Sequence, residues 1–105
     1  MDLQDLKQKL LGTNLVIDNE YLEKYIKLLF QNLTTEKEYG KTQKHHIFPK
    51  CLSKILNIPI DNTVVNLCYK DHILAHYYLI YAANNTQLKT ANIHAFNHLL
   101  KFQGH

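Results

Sequence analysis

Two pairs of histidines, spaced differently, constrain this chain more than any other feature. His45 and His46 are neighbours, whereas His72 and His76 stand four apart. On an α-helix, a four-residue spacing stacks two side chains one turn apart on one face, where both imidazoles can ligate a single ion. On a strand, adjacent side chains point to opposite faces, so a doublet can hold one imidazole on the ion and leave the other free. The two spacings together ask for a strand at 45–46 and a helix through 72–76, brought face to face.

The surrounding sequence agrees. His45 to Pro49 carries an apolar Ile47-Phe48 pair and reads as a strand ending at proline. Thr63 to Cys68 is β-branched and apolar and reads as a second strand, after the Asp61-Asn62 turn signal. A brief helical turn is expected over 50–56. Lys70 to Ala83 follows as a helix that Asn84-Asn85 stops, with Asp71 in its first turn. The histidines on it are flanked by Ile73, Leu74 and Ala75, and Tyr77, Tyr78 and Tyr81 are expected in the core.

On either side the pattern is helical. Residues 2–11 place Leu3, Leu6 and Leu10 on one side before Gly12-Thr13-Asn14 breaks the run. From about Asn19 to Leu33, the apolar residues Leu22, Tyr25, Ile26, Leu29, Phe30 and Leu33 repeat at the helical period, with Asp18 or Asn19 as cap. A polar stretch, Thr34 to Lys44, then leads to the histidine doublet. A last helix, about Gln87 to Phe102, turns Leu88, Ala91, Ala95, Phe96 and Leu99 inward. The expected architecture is one α+β domain over 1–105: a helical lead-in (1–40), a strand–strand–helix core (41–83) and a closing C-terminal helix (84–105).

Composition narrows the function classes. A chain of 105 residues suits one modest core, and 46% hydrophobic content argues against disorder. No apolar run approaches the roughly 20 residues that a membrane helix needs. The start, MDLQDLKQKLL, lacks the basic head and apolar stretch of a secretory signal. A soluble cytoplasmic protein with no membrane partner is expected. Cys51 and Cys68 form no C-x-x-C pair and are expected as small, reduced, buried residues, which also excludes a four-cysteine zinc ribbon. Charge is split: residues 1–40 hold five Lys against seven acids, and residues 41–105 hold seven Lys against two, so −2 precedes +5 in a total of +3. The basic half fits a polyanion partner. Every basic residue is Lys, so phosphate contacts would be point-charge ones without the bidentate forks that read guanine, and recognition would be of backbone rather than base.

Histidine at its unperturbed pKa of ~6.5 supplies a neutral base at physiological pH. A doublet that splits its roles, ligand and base, therefore joins a helix pair of ligands into a centre for metal-assisted hydrolysis. Three protein ligands leave coordination positions open, which separates a catalytic site from a closed structural one.

The runs KHHIFPKCL and DNTVVNLCYKDHILAHYYL resemble the HNH (ββα-metal, His-Me finger) endonucleases, in particular the small phage and prophage members. These carry an E/K-H-H-I-x-P opening, an N-L-V-x-L strand and an E-H-x-x-A-H helix; ANIHAFNHLL resembles the segment that often follows. The resemblance covers about residues 41–100. It implies a ββα-metal unit in which His45, His72 and His76 hold one divalent ion and His46 is the general base. The ion would be Mg²⁺ in the cell by availability, with Zn²⁺, Ni²⁺ or Mn²⁺ as alternatives, of which imidazole ligands favour Zn²⁺ and Ni²⁺. The family's orienting Asn falls at Thr63 here, with Asn62 before it and Asn66 after; Asn62 is the expected occupant of that role. The chain also departs from the family between the strands, where LSKILNIPID stands in place of a Gly-rich loop.

The implied activity is hydrolysis of DNA phosphodiesters, on double-stranded DNA with weak sequence preference, by a bacterial or phage-encoded protein. Cutting both strands would call for a homodimer. Lys41, Lys44, Lys50, Lys54 and His98 are candidate nucleic-acid contacts. The alternatives are a non-catalytic zinc module that binds DNA or protein, and an RNase or toxin nuclease. His94 and His98 form a second i, i+4 pair, but no third donor is placed for them, and His105 reads as a frayed end.

Overall fold

The computed structural model describes residues 2–34 and 42–102. Five helices and one two-stranded sheet follow in the order α1 (Leu3–Leu11), α2 (Glu20–Thr34), β1 (Thr42–His46), α3 (Lys50–Leu56), β2 (Val64–Cys68), α4 (Tyr69–Ala82) and α5 (Thr86–Phe102). The class is α+β, as expected. Lys41, an expected nucleic-acid contact, and His105 lie outside the described residues.

Helix starts follow local chemistry. Asp2 caps α1 by accepting from the Asp5 amide at 2.8 Å. Asn19 does the same for α2, its Oδ1 accepting from the Tyr21 and Leu22 amides at 3.0 and 3.1 Å. Its Nδ2 also donates to the Tyr81 carbonyl at 3.1 Å, near the end of α4, so one side chain both starts α2 and ties it to α4. Helix α3 closes on Asn57 in the left-handed conformation, φ 55°, a position that suits Asn better than any branched residue.

The core gathers on α4. Ala75, Leu79 and Ala82 are buried along it, and it packs against α2 on one side and α5 on the other. From α2 come Leu22, Tyr25, Ile26, Leu28 and Leu29; from α1, Leu6 and Leu10; from α5, Leu88 and Leu99. The expected faces hold with local exceptions. Phe30 and Leu33 are about half exposed, and Leu28, outside the expected stripe, is buried. Tyr77 and Tyr81, expected in the core, are exposed at 36% and 49%. They stack on each other and on Tyr21 at the surface, with ring centroids 5.1–6.4 Å apart. Tyr78, by contrast, is half-buried against the core.

The sheet is where sequence and structure differ most. Strand β1 runs over Thr42–His46, three residues earlier than the span His45–Pro49, and pairs antiparallel with β2 in the register His45↔Val65 and Gln43↔Leu67. Thr42, Gln43 and Lys44 are exposed polar residues with no strand-like alternation. Their backbone is drawn into the ladder by the apolar β2, whose Val65 and Leu67 are buried. Ile47 and Phe48 leave the strand and enter the core instead, at 3% and 1% exposure. Cys68, expected buried, is exposed at the end of β2, and Cys51 on α3 is half-buried; both are free thiols. Strand β2 runs straight into α4. No helix among the described residues is long and apolar enough to cross a membrane.

Candidate metal centre

Helix α4 delivers His72 and His76 on one face, one turn apart, as their spacing requires. Their rings meet with Nε2 atoms 3.3 Å apart. Strand β1 brings His45 to the same point, with ring centroids 5.4 Å from His72 and 5.3 Å from His76. One ring nitrogen from each of the three lies within 4.8 Å of the others, close enough to hold a metal ion. Two nitrogens bound tetrahedrally to zinc at its usual bond length would stand about 3.3 Å apart, and the His72–His76 pair already does.

The outer nitrogens are engaged. His76 Nδ1 lies 2.9 Å from Asn92 Oδ1 on α5, and the Asn92 amide nitrogen donates to the Leu88 carbonyl at 2.9 Å. That second bond fixes the amide with its oxygen toward His76, so His76 donates from Nδ1 and keeps a bare lone pair on Nε2. His72 Nδ1 lies 2.5 Å from Gln43 Oε1 on β1, an oxygen that accepts a hydrogen carried on that nitrogen. His45 is held by Tyr25 on α2, the hydroxyl lying 2.8 Å from Nε2 and 3.0 Å from the Ile47 carbonyl. Imidazoles whose far nitrogen is held by an oxygen are the usual surroundings of metal-ligating histidine. The donor set fits a divalent ion.

Electrostatics point the same way. Burial pushes the His72 pKa down to about 4, with His76 beside it adding a smaller push. His45 lies well below its ordinary value, through burial first and then the neighbouring histidines. Burial also lowers His76, against a raising hydrogen bond from Asn92. All three are neutral at physiological pH, the form that ligates.

His46 follows His45 but is only partly buried. Its pKa is lowered by partial desolvation and by Lys50, while Asp61 pulls it up. His45, His46, His72 and His76 line one cavity of about 510 Å³ with Lys44, Lys50, Pro49, Cys51, Ala91, Asn92 and Ala95. The cavity therefore gathers the four histidines and two of the lysines singled out in the sequence. Asn62 and Lys54 are exposed and are not among its walls, and Asn66 is exposed on β2. His98 lines a second, adjoining hollow with His94, Asn97 and Lys101, which shares the Ala95 wall.

Four supporting residues escaped the sequence reading. Tyr25 looked like one more apolar residue in the α2 stripe. Gln43 sat in a polar stretch without pattern. Asn92 does leave a signal: four residues after Leu88 and next to Ala91, it is a polar residue on the inward stripe of α5, and at 1% exposure it is buried. Asp61 was read as a turn residue. It also binds Lys9 of α1 at 2.8 Å and accepts from the Thr63 amide at 2.9 Å, contacts that hold its carboxyl well below the usual range.

Compared with family models, curated proteins and solved structures, the chain matches none.

Proposed function

We propose that this chain is a divalent-metal-dependent DNA endonuclease of the HNH type, with β1, β2 and α4 as its ββα-metal unit. The observation that carries the reading is the convergence of His45, His72 and His76 on one point beside His46, in one cavity rimmed by Lys44 and Lys50. Among the described residues, this group comprises three histidines and no fourth His, Cys, Asp or Glu. A three-ligand set leaves coordination open, which favours catalysis over a closed structural zinc site.

His45, His72 and His76 hold the ion; when bound, it supplies positive charge against the charge that develops on the phosphate and the leaving O3′. His46, neutral and partly exposed, takes a proton from water as the water oxygen bonds to phosphorus. The P–O3′ bond breaks and its electron pair goes to O3′. Partial burial and then Lys50 lower the proton affinity of His46, Asp61 opposes them, and the net lowering favours the neutral base. Lys44 and Lys50 meet the phosphate backbone, and Lys101, His94 and His98 extend the basic wall along α5. The donors are all imidazole, which suits Zn²⁺ or Ni²⁺ better than the Mg²⁺ that abundance favours, with Mn²⁺ a further alternative.

The test is plasmid relaxation by metal-stripped protein with Mg²⁺, Mn²⁺, Ni²⁺ or Zn²⁺ restored in turn. Metal-dependent nicking that His46→Ala abolishes, while stoichiometric metal binding persists, is the expected result. Bound zinc with no cutting under any ion would replace this reading with a non-catalytic zinc module.

A further inference from the structure

Tyr25 belongs to α2, outside the sheet and helix that carry the four histidines, yet its hydroxyl is buried against one of them. That hydroxyl has one proton and two neighbours: the Ile47 carbonyl at 3.0 Å and His45 Nε2 at 2.8 Å. A carbonyl can only accept, and Ile47 is buried at 3% exposure, where an unpaired carbonyl is costly. The phenol proton therefore goes to Ile47. The phenol oxygen is left as an acceptor, and His45 Nε2 must carry a hydrogen to meet it.

We infer that Tyr25 is a positioning residue that locks His45 in the Nε2–H tautomer, so that His45 offers the metal its Nδ1 while His72 and His76 offer Nε2. The inference rests on the reading of the three histidines as a metal centre. The asymmetry has a geometric sense. His72 and His76 project from a helix and reach the ion with their distal nitrogens. His45 comes from a strand and has its Nε2 turned away to the Tyr25 hydroxyl, which leaves Nδ1 for the ion. Gln43 and Asn92 are the counterparts of Tyr25 for the other two rings, and each ligand is thus oriented from a different element: α2, β1 and α5.

The test reads tautomers directly, by long-range ¹H–¹⁵N correlation spectra of the full chain. In metal-free protein at mildly alkaline pH, His45 is expected with hydrogen on Nε2 and bare Nδ1, and His72 and His76 with the reverse. With Zn²⁺ added, the same three hydrogens should persist. Hydrogen on His45 Nδ1 in the wild-type protein, or its loss from Nε2 on zinc binding, would overturn the assignment. Tyr25→Phe should leave His45 sampling both tautomers and weaken Zn²⁺ binding by about 10–100-fold, the usual effect of removing such a partner. Unchanged tautomer and affinity in a folded Y25F protein would equally overturn it. If Y25F fails to fold, the wild-type spectra alone decide. Expected tautomers in a protein that cuts no DNA would defeat the nuclease reading and leave the role of Tyr25 standing.

Discussion

The Nε2 atoms of His72 and His76 face each other at 3.3 Å, while the Nδ1 of each ring is turned to a side-chain oxygen, Gln43 for one and Asn92 for the other. With both hydrogens spent outward, two lone pairs meet at hydrogen-bond distance with no proton between them. Such a pair repels itself until a cation joins it. A cation bound between them would satisfy both.

Ion binding should accordingly stabilise the fold. Zinc at a hundred times its dissociation constant would add about 2.7 kcal/mol if the unfolded chain does not bind it. Thermal unfolding followed with and without Zn²⁺, then with chelator, is expected to show a raised Tm that chelator returns to the metal-free value. The metal-free protein should remain folded, since its buried core does not depend on the histidines. Loss of all structure on chelation would contradict this.

Asn92 makes a sharper target than the ligands themselves. Asn92→Leu keeps volume but removes the acceptor from His76, so metal affinity should fall by about 10–100-fold. Isothermal titration with Zn²⁺ measures it. An unchanged affinity would mean that His76 does not need its outer partner.

Acidification should weaken the metal-free protein. Unfolded histidine takes a proton near pH ~6.5, whereas burial pushes folded His72 to about 4 and also lowers His45 and His76. Between those values the unfolded state binds more protons, so stability is full above about pH 6.5 and declines as pH falls. Asp61 adds to the loss further down: its carboxyl is held low by Lys9 and the Thr63 amide, so its contribution is present above ~3.9 and disappears as pH falls toward its folded value. Tm measured in chelator from neutral to acid should drop through the histidine range, and His72→Gln should make that drop shallower. A flat profile would refute the assignment.

The proton affinity of His46 should respond to its two charged neighbours in opposite senses. Lys50→Ala removes a lowering influence and should raise its pKa; Asp61→Asn removes a raising one and should lower it. NMR titration of the His46 ring in each variant decides the point, and shifts of the same sign in both would show that these charges do not act on it.

Among the lysines, position relative to the cavity should decide the effect. Lys44→Ala and Lys50→Ala should each lower the salt dependence of DNA binding by about one unit of slope. Lys54→Ala, off the cavity, should leave it nearly unchanged. Filter binding across a salt series would expose an equal effect of all three, which would place the backbone track elsewhere.

Ser53 offers a test of the scaffold alone. Its hydroxyl on α3 is buried and has no hydrogen-bond partner among the described residues. Ser53→Ala relieves a desolvated polar group and should stabilise the protein by about 1 kcal/mol, read from urea unfolding. Destabilisation would mean that the hydroxyl has a partner after all.

Much of this architecture was legible in the chain itself. The helical period marked α1, α2, α4 and α5, a cap at Asp18 or Asn19 marked the start of α2, and the four-residue step from His72 to His76 put two imidazoles on one face before any packing was known. The β-branched run at Val64–Cys68 marked β2, because alternation and branching are local properties. What the sequence did not carry was anything that depends on a partner distant along the chain. Strand β1 is polar at Thr42–Lys44 and is a strand only because β2 offers it a ladder. Tyr25 and Asn92 look like ordinary stripe residues, and become supports of the centre only when α2 and α5 close on α4. Spacing along one helix is set by covalent geometry, so the sequence alone placed His72 and His76 on one face. The approach of His45, the direction in which each ring is held and the closeness of the nitrogens arise from packing between elements, and only the tertiary structure decided those.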